Sequence, residues 1–122
     1  MLPLLVAAAC GVWHGQVAGY YPGVVESSGQ QQAIETWIEQ TPAGLAGRYV
    51  LHEPGRDVPG TLEALGDEGC QVAAFRWRDV YGTGVLRLRF LPGRRCFEGE
   101  WGIITVDPRL TYTSCARDPV TS

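Results

Sequence analysis

Apolar and polar residues alternate with a period of two in the C-terminal half of this chain, and nowhere do apolar residues recur at helical spacing over three turns. The best helical segment is 30–40, where Ile34, Trp37 and Ile38 would share a helix face. The run Ile34-Glu35-Thr36-Trp37-Ile38-Glu39 is rich in β-branched and aromatic residues and is followed by Thr41-Pro42, so a strand is the preferred reading. Gly and Pro punctuate the rest at short intervals, leaving strand candidates at 13–21, 45–53, 61–65, 71–79, 84–91, 96–102 and 109–115. With the Ile34 segment these make about eight, the number that closes a small barrel or forms a compact sandwich. The expected fold is therefore all-β, an antiparallel up-and-down meander in a closed or partly open barrel.

The stretch from Val72 to Tyr112 fixes a register. A turn at Tyr81-Gly82 sets Trp77 opposite Leu86 and Phe75 opposite Leu88, and a loop at 92–95 sets Phe90 opposite Phe97 and Leu86 opposite Trp101. All these side chains, with Leu110 and Tyr112, then share one face. On the other face Arg89 meets Glu98 and Arg87 meets Glu100, while Arg76 opposite Arg87 is the unfavourable exception. Apolar and charged patterns thus agree on one pairing. A further turn near Thr105-Val106 places Trp101 opposite Leu110 and Cys96 opposite Cys115, so a Cys96–Cys115 cross-strand disulfide is expected, with Cys70–Cys96 the competing pair. If Cys10 is retained unmodified, a second bridge with Cys70 becomes available.

Composition changes this picture little. The 122 residues suit one domain, and 16 Gly with 8 Pro fit many short strands and turns. Ten basic and 13 acidic residues give a net charge of -3, so no broad positive field exists to gather phosphates and nucleic acid is not an expected partner.

At the N-terminus, Met1 to Cys10 runs from an apolar stretch into small residues, the order of a secretory signal, and it is too short to span a membrane. Ala7-Ala8-Ala9-Cys10-Gly11 resembles the lipobox of bacterial lipoproteins, with Ala7 where that family usually has Leu. The resemblance implies lipidation at Cys10 and membrane attachment through that anchor alone. An apolar first strand holding a buried cysteine is the other reading, and export is preferred. Residues 1–10 are accordingly set apart from a single β domain at 11–122.

Phe75-x-Trp77-x-Asp79-x-x-Gly82-x-Gly84, then Phe97-x-Gly99-x-Trp101-Gly102, resembles the strand-turn-strand units of small bacterial envelope lipoproteins with lipocalin-like (calycin-type) barrels. Gly11-Val-Trp13 is similar to the G-x-W that opens many lipocalins. The resemblance implies an apolar interior that holds a small hydrophobic ligand or loops presented to a protein partner. Phe75, Trp77, Leu86, Leu88, Phe97, Trp101 and Tyr112 would line that interior, and core filling is the simpler role for most of them.

Chemistry has no such signature. His14 and His52 would need partners such as Asp57, Glu53 or Glu35, and no H-x-x-x-H or C-x-x-C spacing occurs. Solvated histidines are expected. Asp67, Glu68 and Asp79 sit beside Gly in turns, where backbone hydrogen bonding accounts for them. No catalytic residue, metal site or cofactor is assigned. The Gly19-Tyr20-Tyr21-Pro22-Gly23 segment is read either as an exposed aromatic loop suited to a protein partner or as a cover over one barrel end. The expected function is non-catalytic binding by an exported protein of the bacterial envelope or exterior, through a protein partner or a small apolar ligand. An envelope assembly component, which would call for an exposed apolar strip or an unpaired edge strand in the N-terminal half, is the alternative, and an enzyme ranks third.

Overall fold

A computed structural model describes residues 12–92, 95–103 and 110–117. Its eight strands form a closed antiparallel barrel in which every strand pairs with its neighbours in sequence and the last returns to the first. The strands are β1 (Gly19–Ser27), β2 (Gln30–Thr41), β3 (Gly44–Glu53), β4 (Arg56–Gly69), β5 (Val72–Asp79), β6 (Gly82–Leu91), β7 (Cys96–Gly102) and β8 (Leu110–Cys115). One short helix, α1 (His14–Val17), precedes them. The candidate signal segment with Cys10, and the 104–109 turn, lie outside the described residues.

Period-two alternation places one large side chain per pair of residues inside. Tyr21 and Val25, Ile34 and Ile38, Tyr49 and Leu51, Val58 and Leu62, Phe75 and Trp77, Leu86 and Leu88, Phe97, and Tyr112 are all buried. Trp77 and Trp101 meet inside the barrel edge to face, with ring centroids 5.4 Å apart. The β6–β7 and β7–β8 registers are as expected, including Phe90 with Phe97, Leu86 with Trp101, Arg89 with Glu98 and Cys96 with Cys115. The Cys96–Cys115 disulfide is formed, and Cys70, in the β4–β5 turn, is also disulfide-bonded.

The β5–β6 register differs by two residues. Asp79 pairs with Gly82 across a Val80-Tyr81 turn, so Phe75 faces Leu86 and Trp77 faces Gly84. The Asp79 Oδ1 accepts the Tyr81 N–H at 2.8 Å, and Gly82 follows with φ +138°, which fixes the turn one residue earlier than expected. A shift of two keeps every side chain on its face, so the core pattern survives while the partners change. The expected Arg76–Arg87 clash disappears: Arg76 lies opposite Val85 and ion-pairs with Glu63 at 3.6 Å. Arg89 pairs with Glu98, whereas Arg87 turns away from Glu100 to Glu68, its Nε donating at 2.6 Å.

Two strands were masked by Pro and Gly. β1 runs six residues later than the expected 13–21, through Pro22-Gly23, and β4 runs through Pro59-Gly60. Here the glycines make room rather than turns. A Cβ at Gly23 would collide with Ser114 of the neighbouring β8, and one at Gly60 with the Tyr49 ring of β3.

The ends of the barrel differ. At the end carrying the β2–β3, β4–β5 and β6–β7 turns, α1 folds across the opening and buries Trp13, whose ring lies 6.0 Å from Phe90. Tyr21 packs on Phe97 at 5.1 Å, and its hydroxyl donates to the Val17 carbonyl at 2.5 Å, tying helix to wall. Rings pack most of this half, and a smaller space of about 240 Å³ remains beside His14, Leu45, Asp67 and Ala73.

The disulfide joins β7 and β8 across a sequence separation of 19, beside the closing seam. Replacing Cys96 and Cys115 together by Ser should remove about 2–4 kcal/mol of stability through a less restricted unfolded chain. Urea unfolding of both proteins under non-reducing conditions measures this, and equal midpoints would rule it out.

Candidate functional site

Away from α1, the interior is hollow. A cavity of about 340 Å³ opens at the end bearing the β1–β2, β3–β4 and β5–β6 turns, walled mainly by Val25, Ile34, Leu51, Leu62, Trp77 and Trp101. Eight strands give an interior just wide enough either to be filled by side chains or to hold one small ligand. Here the two outcomes divide the barrel between its halves. Of the interior residues expected from sequence, Trp77, Leu86, Trp101 and Tyr112 line the cavity. Phe75, Leu88 and Phe97 are fully buried and belong to the packed core.

The cavity walls are pinned by hydrogen bonds. The Trp77 indole donates to the Gly102 carbonyl at 3.1 Å, and the Trp101 indole reaches past β8 to the Glu26 carbonyl of β1 at 2.8 Å. Deeper in, the Tyr112 hydroxyl bonds to Thr36 Oγ1. Burial holds the Tyr112 phenol far above its usual pKa, so it stays neutral.

Among the described residues lining this space, one carries a charge. Asp79 continues the inward series Phe75, Trp77, Asp79 at the end of β5, and its Oδ2 accepts the Tyr49 hydroxyl at 2.6 Å. Burial, then the hydrogen bond to Asp79 and that carboxylate's charge, push the Tyr49 phenol well above its ordinary value. The same carboxylate supports the turn, as expected, but its place on the inner face was missed. Alternation from Phe75 was the signal that carried it there. Tyr49 likewise follows the inward series Leu45, Gly47, Tyr49, Leu51 in β3. At the rim the Tyr81 hydroxyl donates to Glu53 Oε1 at 2.5 Å, and Arg56 Nε lies 3.4 Å from the same oxygen.

Tyr20 and Tyr21 do not form an exposed loop. They are consecutive residues of β1, so Tyr21 enters the core and Tyr20 points outward. Outside, Tyr20 begins a chain of side chains across four strands: its hydroxyl donates to Glu35, Glu35 Oε1 bonds His52 Nε2 at 2.8 Å, and His52 Nδ1 bonds Asp57 Oδ1 at 2.8 Å. Two of the three partners considered for His52 from sequence are therefore its neighbours. Asp57 first and Glu35 second raise the His52 pKa, and Tyr20 first and His52 second lower that of Glu35. The side chains are about one-third exposed at His52 and Glu35, which fits a solvated surface network. Trp37 stacks beside Tyr20 with ring centroids 5.3 Å apart, and Arg48 covers it at 4.0 Å. His14 is separate, bonded to Asp67 at 2.9 Å.

Among the described residues no group of three or more His, Cys, Asp or Glu side chains is arranged to hold a metal ion. The sequence matches no protein-family model and no curated protein, and no solved structure matches the barrel.

Gly60 holds the site open for Tyr49. Gly60→Val should displace that ring, break its bond to Asp79 and cost about 1–3 kcal/mol through overpacking; urea unfolding with a spectrophotometric tyrosine titration reads both, and an unchanged phenol titration would contradict the assignment. The outer network has a pH signature. Because the folded-state pKa of His52 is raised, its contribution is complete below the ordinary histidine value of about 6.5 and is lost as pH rises through the folded value. Glu35, with a lowered pKa, contributes above the ordinary carboxylate value and loses its contribution as pH falls through its depressed one. His52→Gln should therefore flatten the decline in stability above about pH 6.5, as followed by melting temperature; superimposable pH profiles would count against it.

Proposed function

We propose that this is an exported, non-catalytic binding protein whose barrel admits one small, mainly apolar ligand through the open end. The observation that carries the reading is the cavity of about 340 Å³ walled by Trp77, Trp101 and aliphatic side chains. That volume sits at the low end of the roughly 300–1,000 Å³ range of small-molecule sites, which are likewise apolar with few polar groups. The buried tyrosine bonded to Asp79 favours binding over acid–base chemistry, since the Tyr49 phenol stays protonated far above neutral pH. Export is supported by the Cys96–Cys115 disulfide, because such bonds persist mainly in oxidising compartments.

A protein partner at the same end is the second reading, favoured by the exposure of Val80, Tyr81 and Ile103 at the rim. Assembly by strand addition has less support, since β1 and β8 pair with each other through Gly23–Val25 and Tyr112–Ser114 and close the barrel.

Ligand entry would change the surroundings of Trp77 and Trp101. Titration with the neutral probe 1-naphthylmethanol should alter intrinsic tryptophan emission saturably with one site per chain, and Leu62→Trp, which fills the cavity, should weaken that binding at least about tenfold. A folded wild-type barrel with no response, or equal affinity in the filled variant, would defeat the proposal. Leu86→Phe provides the same comparison where Leu62→Trp does not fold.

A further inference from the structure

The polar groups at the cavity mouth restrict the chemistry of what the barrel holds. Among the described residues lining the cavity, Asp79 is the one that carries a charge, and none is Arg, Lys or His. Its two oxygens accept the Tyr81 N–H at 2.8 Å and the Tyr49 hydroxyl at 2.6 Å. Both donors are neutral, so they orient the carboxylate without cancelling its charge. Among the described residues no cation pairs with it. A carboxylate offers about four acceptor positions, so about two remain for a ligand.

The surroundings reinforce this sign. Trp77, Trp101, Tyr49 and Tyr112 supply aromatic walls within the same cavity, and aromatic faces attract cations, most strongly where water is displaced. At the rim Arg56 is paired with Glu53 at 3.4 Å and lies 5.5 Å from the Tyr81 ring centroid, so this cation is already matched by a carboxylate. An anionic amphiphile entering head outward would bring its carboxylate against Asp79 with no cation in the described lining to receive it, a like-charge approach that is unfavourable in a partly desolvated mouth. A protonated amine would meet a preoriented acceptor and an aromatic wall together.

Resting on the ligand-binding reading above, we infer that the barrel selects a hydrophobic amine, its apolar body in the cavity and its ammonium group hydrogen-bonded to Asp79 at the mouth. The contact is an ion pair and involves no covalent step. Tyr49 positions the carboxylate, and Gly60 leaves space for Tyr49 to do so.

Three probes of one size separate the alternatives: 1-naphthylmethylamine, 1-naphthylmethanol and 1-naphthoate, titrated into the whole protein at pH 7 by tryptophan fluorescence and calorimetry. The amine should bind at least about tenfold more tightly than the alcohol, and the carboxylate most weakly. Asp79→Asn, nearly equal in shape and still able to accept from Tyr49, should abolish the amine's advantage over the alcohol. Equal binding of all three, a preference for the carboxylate, or an amine preference that persists in Asp79→Asn overturns this inference and leaves the cavity reading standing. Failure of every probe to bind removes both. The order of affinities on the wild-type protein is decisive by itself where Asp79→Asn does not fold.

Discussion

Everything inside this barrel depends on the seam where β8 returns to β1. In the described residues their ladder joins Gly23–Val25 to Tyr112–Ser114, and the rest of the junction is held by side chains and single backbone bonds. Ser114 Oγ donates to the Tyr21 carbonyl at 3.2 Å, the Trp101 indole spans to the Glu26 carbonyl, and the Arg117 N–H donates to the Tyr20 carbonyl at 2.8 Å. Gly23 allows Ser114 to come this close. Closure satisfies the edges of the first and last strands and separates an apolar interior from a charged exterior, which no open sheet of the same strands would do.

Within that enclosure, the distribution of ring size along the axis decides where space remains. Trp13, Tyr21, Phe90 and Phe97 crowd the end covered by α1. Toward the other end the corresponding inward positions include Val25, Gly60, Leu62 and Gly84, and the large rings present are held against the wall by hydrogen bonds from Trp77 and Trp101. A packed half supplies the stability that lets the other half stay open, since a void costs contacts that must be made elsewhere. The Tyr49–Asp79 pair sits where this hollow meets solvent.

The outer surface follows different rules. Its ion pairs and the Tyr20–Glu35–His52–Asp57 chain cross the strands, linking neighbours through solvated groups that each contribute little alone. They link neighbouring strands on the outside, while the interior holds the core and the cavity.

Alternation along the chain determined the all-β class, the sidedness of the last four strands, the β6–β7–β8 register and the Cys96–Cys115 pairing, because side-chain direction in a strand depends only on the parity of sequence position. Parity left the two-residue slip at β5–β6 undetermined, and Pro22-Gly23 and Pro59-Gly60 concealed strands because a glycine needed for close packing reads like a turn glycine in one dimension. Tyr49 of β3 reaches Asp79 of β5 past β4 because the sheet curls, whereas Tyr20, Glu35 and His52 lie on the consecutive strands β1, β2 and β3, whose mutual registers the sequence pattern did not set. The cavity is likewise a tertiary property: sequence supplied the rings and the glycines, and closure around α1 decided which end of the barrel they filled.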